Sequence, residues 1–180
     1  MNRVYLASED SLLLRRVLAR FSGEACLEIG SGNGGNLSEL VKRFSFVVGT
    51  DIVPPEMPLG GCELVLADRA SCFRDSTFDL VAFNPPYLPS EEVSDAAVDG
   101  GRDGVDAAVA FLEEAVRVVK ATGTIVILLS SYNPKERIEF ICRKHGLTMT
   151  IEEGERLFYE TLAVYSIRRA PAMRAASPGP

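Results

Sequence analysis

Four consecutive residues, Asn84-Pro85-Pro86-Tyr87, place an amide, two prolines and an aromatic ring directly after an apolar run. That run, residues 78–83, has the composition of a buried strand, so it predicts delivery of Asn84 to the carboxyl end of a sheet. The prolines hold an extended backbone and provide no N–H donor. The side-chain oxygen of Asn84 and the carbonyl of Pro85 then form two acceptors beside Tyr87. This arrangement suits a planar NH2 group that is held while its nitrogen reacts.

A glycine-rich segment, residues 27–35 (LEIGSGNGG), joins a predicted strand to a helix. Gly30, Gly32 and Gly35 have the spacing of the dinucleotide-binding fingerprint, in which glycines allow a tight turn and close approach of a ligand to the backbone. The alternative is a plain strand-to-helix turn without a ligand.

Glu28, Asp68 and Asn84 help to distinguish a dinucleotide from S-adenosylmethionine at this site. Glu28 precedes the glycines, where it would repel a pyrophosphate and attract the ammonium of a methionine moiety. Asp51 can accept from ribose hydroxyls of either ligand, and Asp68 can accept from an adenine amino group. Asn84 supplies a partner for methyl transfer, so S-adenosylmethionine is favoured. Asp51 and Asp68 could instead be turn residues at strand ends.

Predicted strands and helices alternate along most of the chain. The last two strands have only a polar turn around Gly154 between them and should pair antiparallel. The expected fold is α/β and Rossmann-like: a mainly parallel seven-stranded sheet with a C-terminal antiparallel hairpin and helices on both faces. The expected strands are residues 25–29, 46–50, 63–67, 78–83, 123–130, 147–152 and 158–167, and the expected helices are residues 11–21, 36–44, one from 105 and one from 133. Residues 1–170 form one domain, followed by a disordered tail at 171–180.

Composition limits the function classes. The 180 residues carry 19 Lys and Arg against 25 Asp and Glu, a net charge of −6, which argues against direct DNA binding. The four cysteines form no Cys-x-x-Cys pair and there is one histidine, which indicates a reduced, cytoplasmic chain without a metal site. No signal peptide or long apolar stretch is present, so no membrane association is expected.

The succession Glu28-x-Gly-x-Gly-x-Gly, Asp51, Asp68 and Asn-Pro-Pro-Tyr resembles the class I S-adenosylmethionine-dependent methyltransferases. Residues 9–14 (EDSLLL) and 100–104 (GGRDG) are similar to signatures of the HemK-like release-factor glutamine methyltransferases. The likeness covers about residues 4–168 and is greatest to the short eukaryotic and archaeal branch. It implies N5-methylation of the glutamine in the Gly-Gly-Gln motif of a class I peptide chain release factor, with S-adenosyl-L-homocysteine as the other product.

The resemblance also implies roles for individual residues. The cofactor would be bound by Ser11, Glu28, Gly30, Gly32, Asp51, Asp68, Arg69 and Asn84. The substrate would be bound by Asn84, Pro85, Pro86 and Tyr87, of which Asn84, Pro85 and Tyr87 would be catalytic. Ser11 and Arg69 also have plain alternatives, since Ser11 could serve only as a helix-start residue and Arg69 could point to solvent. The helix that the family has between its second and third strands is replaced by the proline-rich residues 52–61, which alters the adenine side of the site.

Members of this family often act as a heterodimer with a small zinc-binding activator protein. The third predicted strand contains Leu64-Val65-Leu66 and should be an edge of the sheet, where another chain can pair with it. The third-strand edge is therefore the expected contact for the activator.

Two other functions remain open. A DNA adenine-N6 methyltransferase could use the same acceptors for an adenine amino group, but it would need a basic groove for a flipped base. A non-catalytic binding partner could keep the cofactor fold for assembly alone, although the presence of Glu28, Asp51, Asp68 and Asn84 together argues against loss of the site.

Overall fold

The computed structural model describes residues 9–55, 59–86 and 105–170. Within these residues the strands are β1 (Gly23–Ile29), β2 (Phe44–Asp51), β3 (Glu63–Leu66), β4 (Phe78–Phe83), β5 (Val119–Ser130), β6 (Leu147–Arg156) and β7 (Thr161–Arg169). The helices are α1 (Glu9–Leu18), α2 (Leu37–Leu40), α3 (Asp106–Val118) and α4 (Lys135–Lys144). None of these helices is both long and apolar enough to cross a membrane.

The strands form one seven-stranded sheet in the order β3-β2-β1-β4-β5-β7-β6. The pairs β3–β2, β2–β1, β1–β4 and β4–β5 are parallel, whereas β7 runs antiparallel to both β5 and β6. The predicted Rossmann-like α/β fold with a C-terminal antiparallel hairpin is confirmed. The prediction that the third strand lies at an edge is also confirmed, because β3 is the terminal strand of this sheet.

Adjacent residues in the central strands point to opposite sides of the sheet. Both faces of the sheet are therefore apolar, and helices cover each of them. On β5, Ile127 belongs to a core that includes Leu112 of α3 and Ile138 of α4. Its neighbour Val126 belongs to the other core, which includes Leu14 of α1. Helices on both faces therefore bury a nearly continuous apolar sheet, as expected for parallel strands.

The C-terminal hairpin differs from the sequence prediction in the position of its turn. Gly154 lies inside β6 and pairs with Ala163, and the chain reverses at residues 157–160. The pairing of β6 shifts by one residue between Ile151 and Glu153, and a glycine in a strand commonly accompanies such a bulge. The predicted tail at residues 171–180 lies outside the described residues.

The helix predicted at residues 36–44 is also shorter in the structure, where α2 ends at Leu40. The chain then turns, and Phe44 already pairs with Gly23 as the first residue of β2. Phe44 is buried there. Burial of this aromatic side chain in the sheet thus takes precedence over the local helical pattern.

Candidate active site

Four strands end side by side and place the predicted ligand residues in a row. Ile29 of β1 pairs with Thr50 of β2 and with Phe83 of β4, so the residues that follow these three strands start at the same level. Those residues are Gly30 and Asn84, together with Asp51, the last residue of β2. Asp68 lies just beyond the end of β3. The row crosses three strand spacings, about 14 Å in all, at the sheet edge where open α/β folds bind ligands.

The glycine loop is fixed to the sheet from below and open above. The Thr50 carbonyl accepts hydrogen bonds from the backbone N–H groups of Gly30 and Ser31, at 2.8 and 2.9 Å. Gly32 has a φ of +51°, and a Cβ atom built on it would meet nothing within 4 Å. A positive φ favours glycine, and the space above Gly32 leaves room for a ligand against the backbone.

Asp51 organises the turn around this loop. One carboxylate oxygen accepts from the N–H of Gly32 at 2.9 Å, and the other accepts from the N–H of Val53 at 3.0 Å. Each carboxylate oxygen can accept more than one hydrogen bond, so the residue that shapes the loop still has capacity for ligand hydroxyl groups. Asp68 is exposed and pairs with Arg69 at 2.9 Å, and Arg69 has a φ of +52°.

Glu28 is a buried carboxyl group directly beneath the loop, with 3% of its surface exposed. Burial raises the pKa of Glu28 to about 8, although a hydrogen bond from Asn36 and the charge of Arg15 act in the opposite direction. The Asn36 side chain donates to Oε1 at 2.8 Å, while Oε2 is buried without a partner. Glu28 therefore has one oxygen held by the protein and one that lacks a donor.

Asn84 is held in a defined orientation at the end of β4. Its Nδ2 atom donates to Oδ2 of Asp10 at 2.8 Å, and its Oδ1 atom is buried without a hydrogen-bond partner. Pro85 is buried and Pro86 is partly buried. The ring of Phe83, just before Asn84, packs against Phe111 of α3 with 5.7 Å between centroids. The strand end that carries the acceptor is thus anchored from both sides.

The structure brings together most of the residues that the sequence singled out. Ser11 lies in the first turn of α1, beside Asp10, and is partly buried. Tyr87 lies outside the described residues, so its place in the site stays a prediction. Sequence reasoning did not assign a site role to three polar residues that contact or surround the predicted ones: Asp10, Arg15 and Asn36. Asp10 and Arg15 lie within or next to the EDSLLL segment, and Asn36 directly follows the glycines, but no spacing rule links them to their partners.

Unpartnered buried polar atoms concentrate at this site. Among the described residues, the side-chain atoms of this kind are Arg15 Nε, Glu28 Oε2, Asn36 Oδ1, Thr50 Oγ1 and Asn84 Oδ1. Buried polar groups in proteins nearly always have partners, so such a concentration calls for an explanation, for example a ligand. Acceptors for an ammonium group and for hydroxyl groups, beside an open glycine backbone, fit S-adenosylmethionine.

Comparisons with known proteins agree with this geometry. The chain is 30% identical over 181 residues to a Methanocaldococcus jannaschii protein assigned as a protein N5-glutamine methyltransferase, covering 92% of each chain. It is 31% identical over 123 residues to a release factor glutamine methyltransferase of Bradyrhizobium diazoefficiens, covering 56% of this chain and 41% of that one. No family model matches the sequence.

Solved structures support the same fold. The methyltransferase complex of E. cuniculi Mtq2 with Trm112, which methylates the translation termination factor eRF1, matches with a TM-score of 0.77 and 27% identity, covering 92% of this chain and 98% of that chain. A complex of DhpI with S-adenosylhomocysteine matches in fold, with a TM-score of 0.63 and 16% identity over 93% of this chain and 89% of that chain. The chain therefore belongs to the family of protein N5-glutamine methyltransferases, class I enzymes that use S-adenosylmethionine as methyl donor.

Proposed function

We propose that this protein methylates the side-chain nitrogen of the glutamine in the Gly-Gly-Gln motif of a class I peptide chain release factor. Support comes from the relative of Bradyrhizobium diazoefficiens named for release-factor glutamine methylation and from the E. cuniculi complex that methylates eRF1. The acidic composition, with a net charge of −6, favours a protein substrate over DNA. The reaction belongs to the cytoplasm, where translation terminates.

The observation that carries this proposal is the unpartnered, buried Oδ1 atom of Asn84. A buried acceptor without a donor costs about 1–3 kcal/mol, and a substrate NH2 group would remove this cost. The adjacent Pro85 carbonyl provides the second acceptor of the pair, because its proline neighbour leaves the backbone extended. The groups that cover Oδ1 in this structure have to move when the target amide enters.

Two acceptors address the chemical difficulty of the reaction. The lone pair of a carboxamide nitrogen is delocalised into its carbonyl group, so the nitrogen is a poor nucleophile. Hydrogen bonds from both amide hydrogens to Asn84 Oδ1 and the Pro85 carbonyl fix the direction of that nitrogen. They also strengthen as positive charge develops on it, which stabilises the transition state more than the ground state. Holding the nitrogen in line with the methyl group also lowers the barrier, because the two reacting atoms no longer have to be aligned during the reaction.

A general base is not required before methyl transfer. The amide nitrogen becomes strongly acidic only as its new carbon–nitrogen bond forms, and it then loses one proton to water. When bound, S-adenosylmethionine supplies a sulfonium methyl group, and the electron pair of the broken bond stays on sulfur. Glu28 would lose the proton that it carries near neutral pH without cofactor and would hold the ammonium group as a carboxylate. The open backbone at Gly32 would face the bound cofactor, and Asp51 and Asp68 would accept from its nucleoside.

The edge strand β3 suits a small activator protein as partner. Three exposed apolar side chains lie at the carboxyl end of this edge: Ile52, Val53 and Leu66, with 62%, 61% and 64% of their surface exposed. They lie at one corner because Asp51 pairs with Leu66. An unpaired edge next to apolar side chains favours strand addition by another chain. A zinc-binding activator bound at this edge would cover these three apolar side chains.

Turnover and cofactor binding in Asn84→Ala test the proposed chemistry. Radiolabelled S-adenosylmethionine is incubated with wild type or variant and, in turn, a class I release factor or DNA, with and without the activator. We expect transfer to the release factor by wild type, loss of transfer in the variant, and a cofactor Kd within about threefold of wild type, because the variant removes no group beneath the glycine loop. Full activity of Asn84→Ala contradicts the mechanism, and label on DNA instead of protein contradicts the substrate.

A further inference from the structure

The contact between Asp10 and Asn84 joins the first turn of α1 to the end of β4 across 74 residues of sequence. The donor is the Asn84 amide nitrogen and the acceptor is Oδ2 of Asp10, 2.8 Å away in a partly buried setting. The other Asp10 oxygen accepts from the backbone N–H of Ser11 at 2.6 Å. The helix backbone therefore holds the same carboxylate that contacts Asn84.

An asparagine side chain can be turned by 180° with almost no change in shape, which exchanges its oxygen and its nitrogen. The function proposed for Asn84 depends on which of the two faces the substrate amide. With oxygen toward the substrate, Asn84 accepts a hydrogen from the target NH2 group. With nitrogen there, two donors face each other and the substrate is repelled.

A carboxylate resolves this choice because it accepts hydrogen bonds and donates none. The Asp10 oxygen draws the Asn84 nitrogen toward α1, which leaves Oδ1 as the atom without a protein partner. We infer that Asp10 is the positioning residue that sets the amide orientation of Asn84 for substrate recognition. Asp10 acts through Asn84 and does not itself touch the substrate. This inference rests on the proposed catalytic role of Asn84.

The matched control is Glu9, the neighbouring acidic residue in the first turn of α1. Glu9 is exposed. Glu9→Gln and Asp10→Asn each remove one negative charge from the same helix N-terminus, so any effect through the helix dipole is shared. Only Asp10→Asn changes the contact with Asn84. Asn at position 10 can present either oxygen or nitrogen, so both orientations of Asn84 become available.

The first experiment measures kcat and cofactor binding of wild type, Asp10→Asn, Glu9→Gln and Asn84→Ala with a release factor as substrate. We expect Asp10→Asn to lower kcat about 10- to 100-fold, the range for loss of a hydrogen bond to a charged group. Its cofactor Kd and Tm should stay close to those of Glu9→Gln, and Glu9→Gln should keep wild-type kcat. Equal kcat values for Asp10→Asn and Glu9→Gln overturn the inference.

A second readout does not depend on activity. In a 15N–1H spectrum, the side-chain NH2 signals of Asn84 are identified by their loss in Asn84→Ala. We expect one of these protons to be shifted downfield in wild type and in Glu9→Gln, and to return toward the position of free asparagine in Asp10→Asn. Unchanged signals in Asp10→Asn overturn the inference. An inactive wild type with the expected signals refutes the proposed function alone, and a normal kcat of Asp10→Asn beside an inactive Asn84→Ala refutes the positioning role alone.

Discussion

Replacing Glu28 by Gln is expected to remove a large part of the pH dependence of folding stability in the protein without cofactor. Burial raises the pKa of Glu28 to about 8 in the folded state, whereas an unfolded glutamic acid titrates near pH 4.3. Between these two values the folded protein holds a proton that the unfolded chain has lost. Glu28 thus adds stability at low pH, and this contribution is lost as pH rises through the folded pKa.

The size of the effect follows from the two pKa values. Between pH 6 and pH 8 the contribution of Glu28 to the free energy of unfolding falls by about 2 kcal/mol. Gln has nearly the same shape and keeps an oxygen that can accept from the Asn36 side chain, but it does not titrate. The variant can lose some stability at every pH because its NH2 group takes the place of Oε2. The expected result is therefore a smaller change of the unfolding free energy with pH in the variant than in wild type, whatever the absolute stability of the variant.

Urea unfolding of wild type and Glu28→Gln at pH 6, 7 and 8 measures this difference. Glu39→Gln is the control, because ion pairs with Lys42 and Arg43 hold the pKa of Glu39 below its usual value. Glu39 is therefore charged throughout this pH range, and its variant should run parallel to wild type. If the curve of Glu28→Gln also runs parallel to wild type, Glu28 is not a neutral carboxyl group in the protein without cofactor, and burial does not raise its pKa as stated.

Three further changes test other parts of the site. Gly49→Ala places a Cβ atom 2.8 Å from Oγ of Ser31. We expect the variant to lose about 1–3 kcal/mol of unfolding free energy and to bind the cofactor more weakly. Thermal shift with and without cofactor measures both effects, and an unchanged Tm contradicts the close packing. Asp51→Asn keeps one acceptor where the turn uses two, and we expect at least a tenfold higher cofactor Kd by calorimetry, with wild-type affinity as the contrary result. Leu66→Asp should abolish co-elution with the activator in size-exclusion chromatography, while Ile151→Asp, 60% exposed on the opposite edge strand β6, should not; equal behaviour of the two rejects the β3 interface.

Sequence patterns predict the strand ends of this site well, because each strand is a short apolar run with a glycine or a polar residue at or just beyond its end. Residues 78–83 are a strand with the predicted bounds, and Asn84 follows at the expected edge. Patterns fail where pairing with a distant strand decides the outcome. The helical spacing of apolar residues from Val105 to Val119 predicts that Val119 continues the helix, but Val119 instead starts β5 opposite Phe78, because the local sequence does not show its pairing partner.

The same limit applies within the site. The glycine loop and Asp51 could be predicted because their chemistry lies in residue type and spacing. The contact of Asp10 with Asn84 and that of Asn36 with Glu28 depend on how α1 and the loop pack on the sheet. No spacing in the sequence identifies a side chain whose role is to orient another side chain, so only the folded structure reveals such contacts.

The atom that receives the methyl group provides the most direct test of the central claim. A class I release factor is incubated with the protein, its activator and S-adenosylmethionine, digested, and sequenced by tandem mass spectrometry. We predict one added methyl group on the side-chain nitrogen of the glutamine in Gly-Gly-Gln, and none when Asn84→Ala replaces wild type. Methylation at another residue, or of that glutamine by Asn84→Ala at the wild-type rate, would contradict the account.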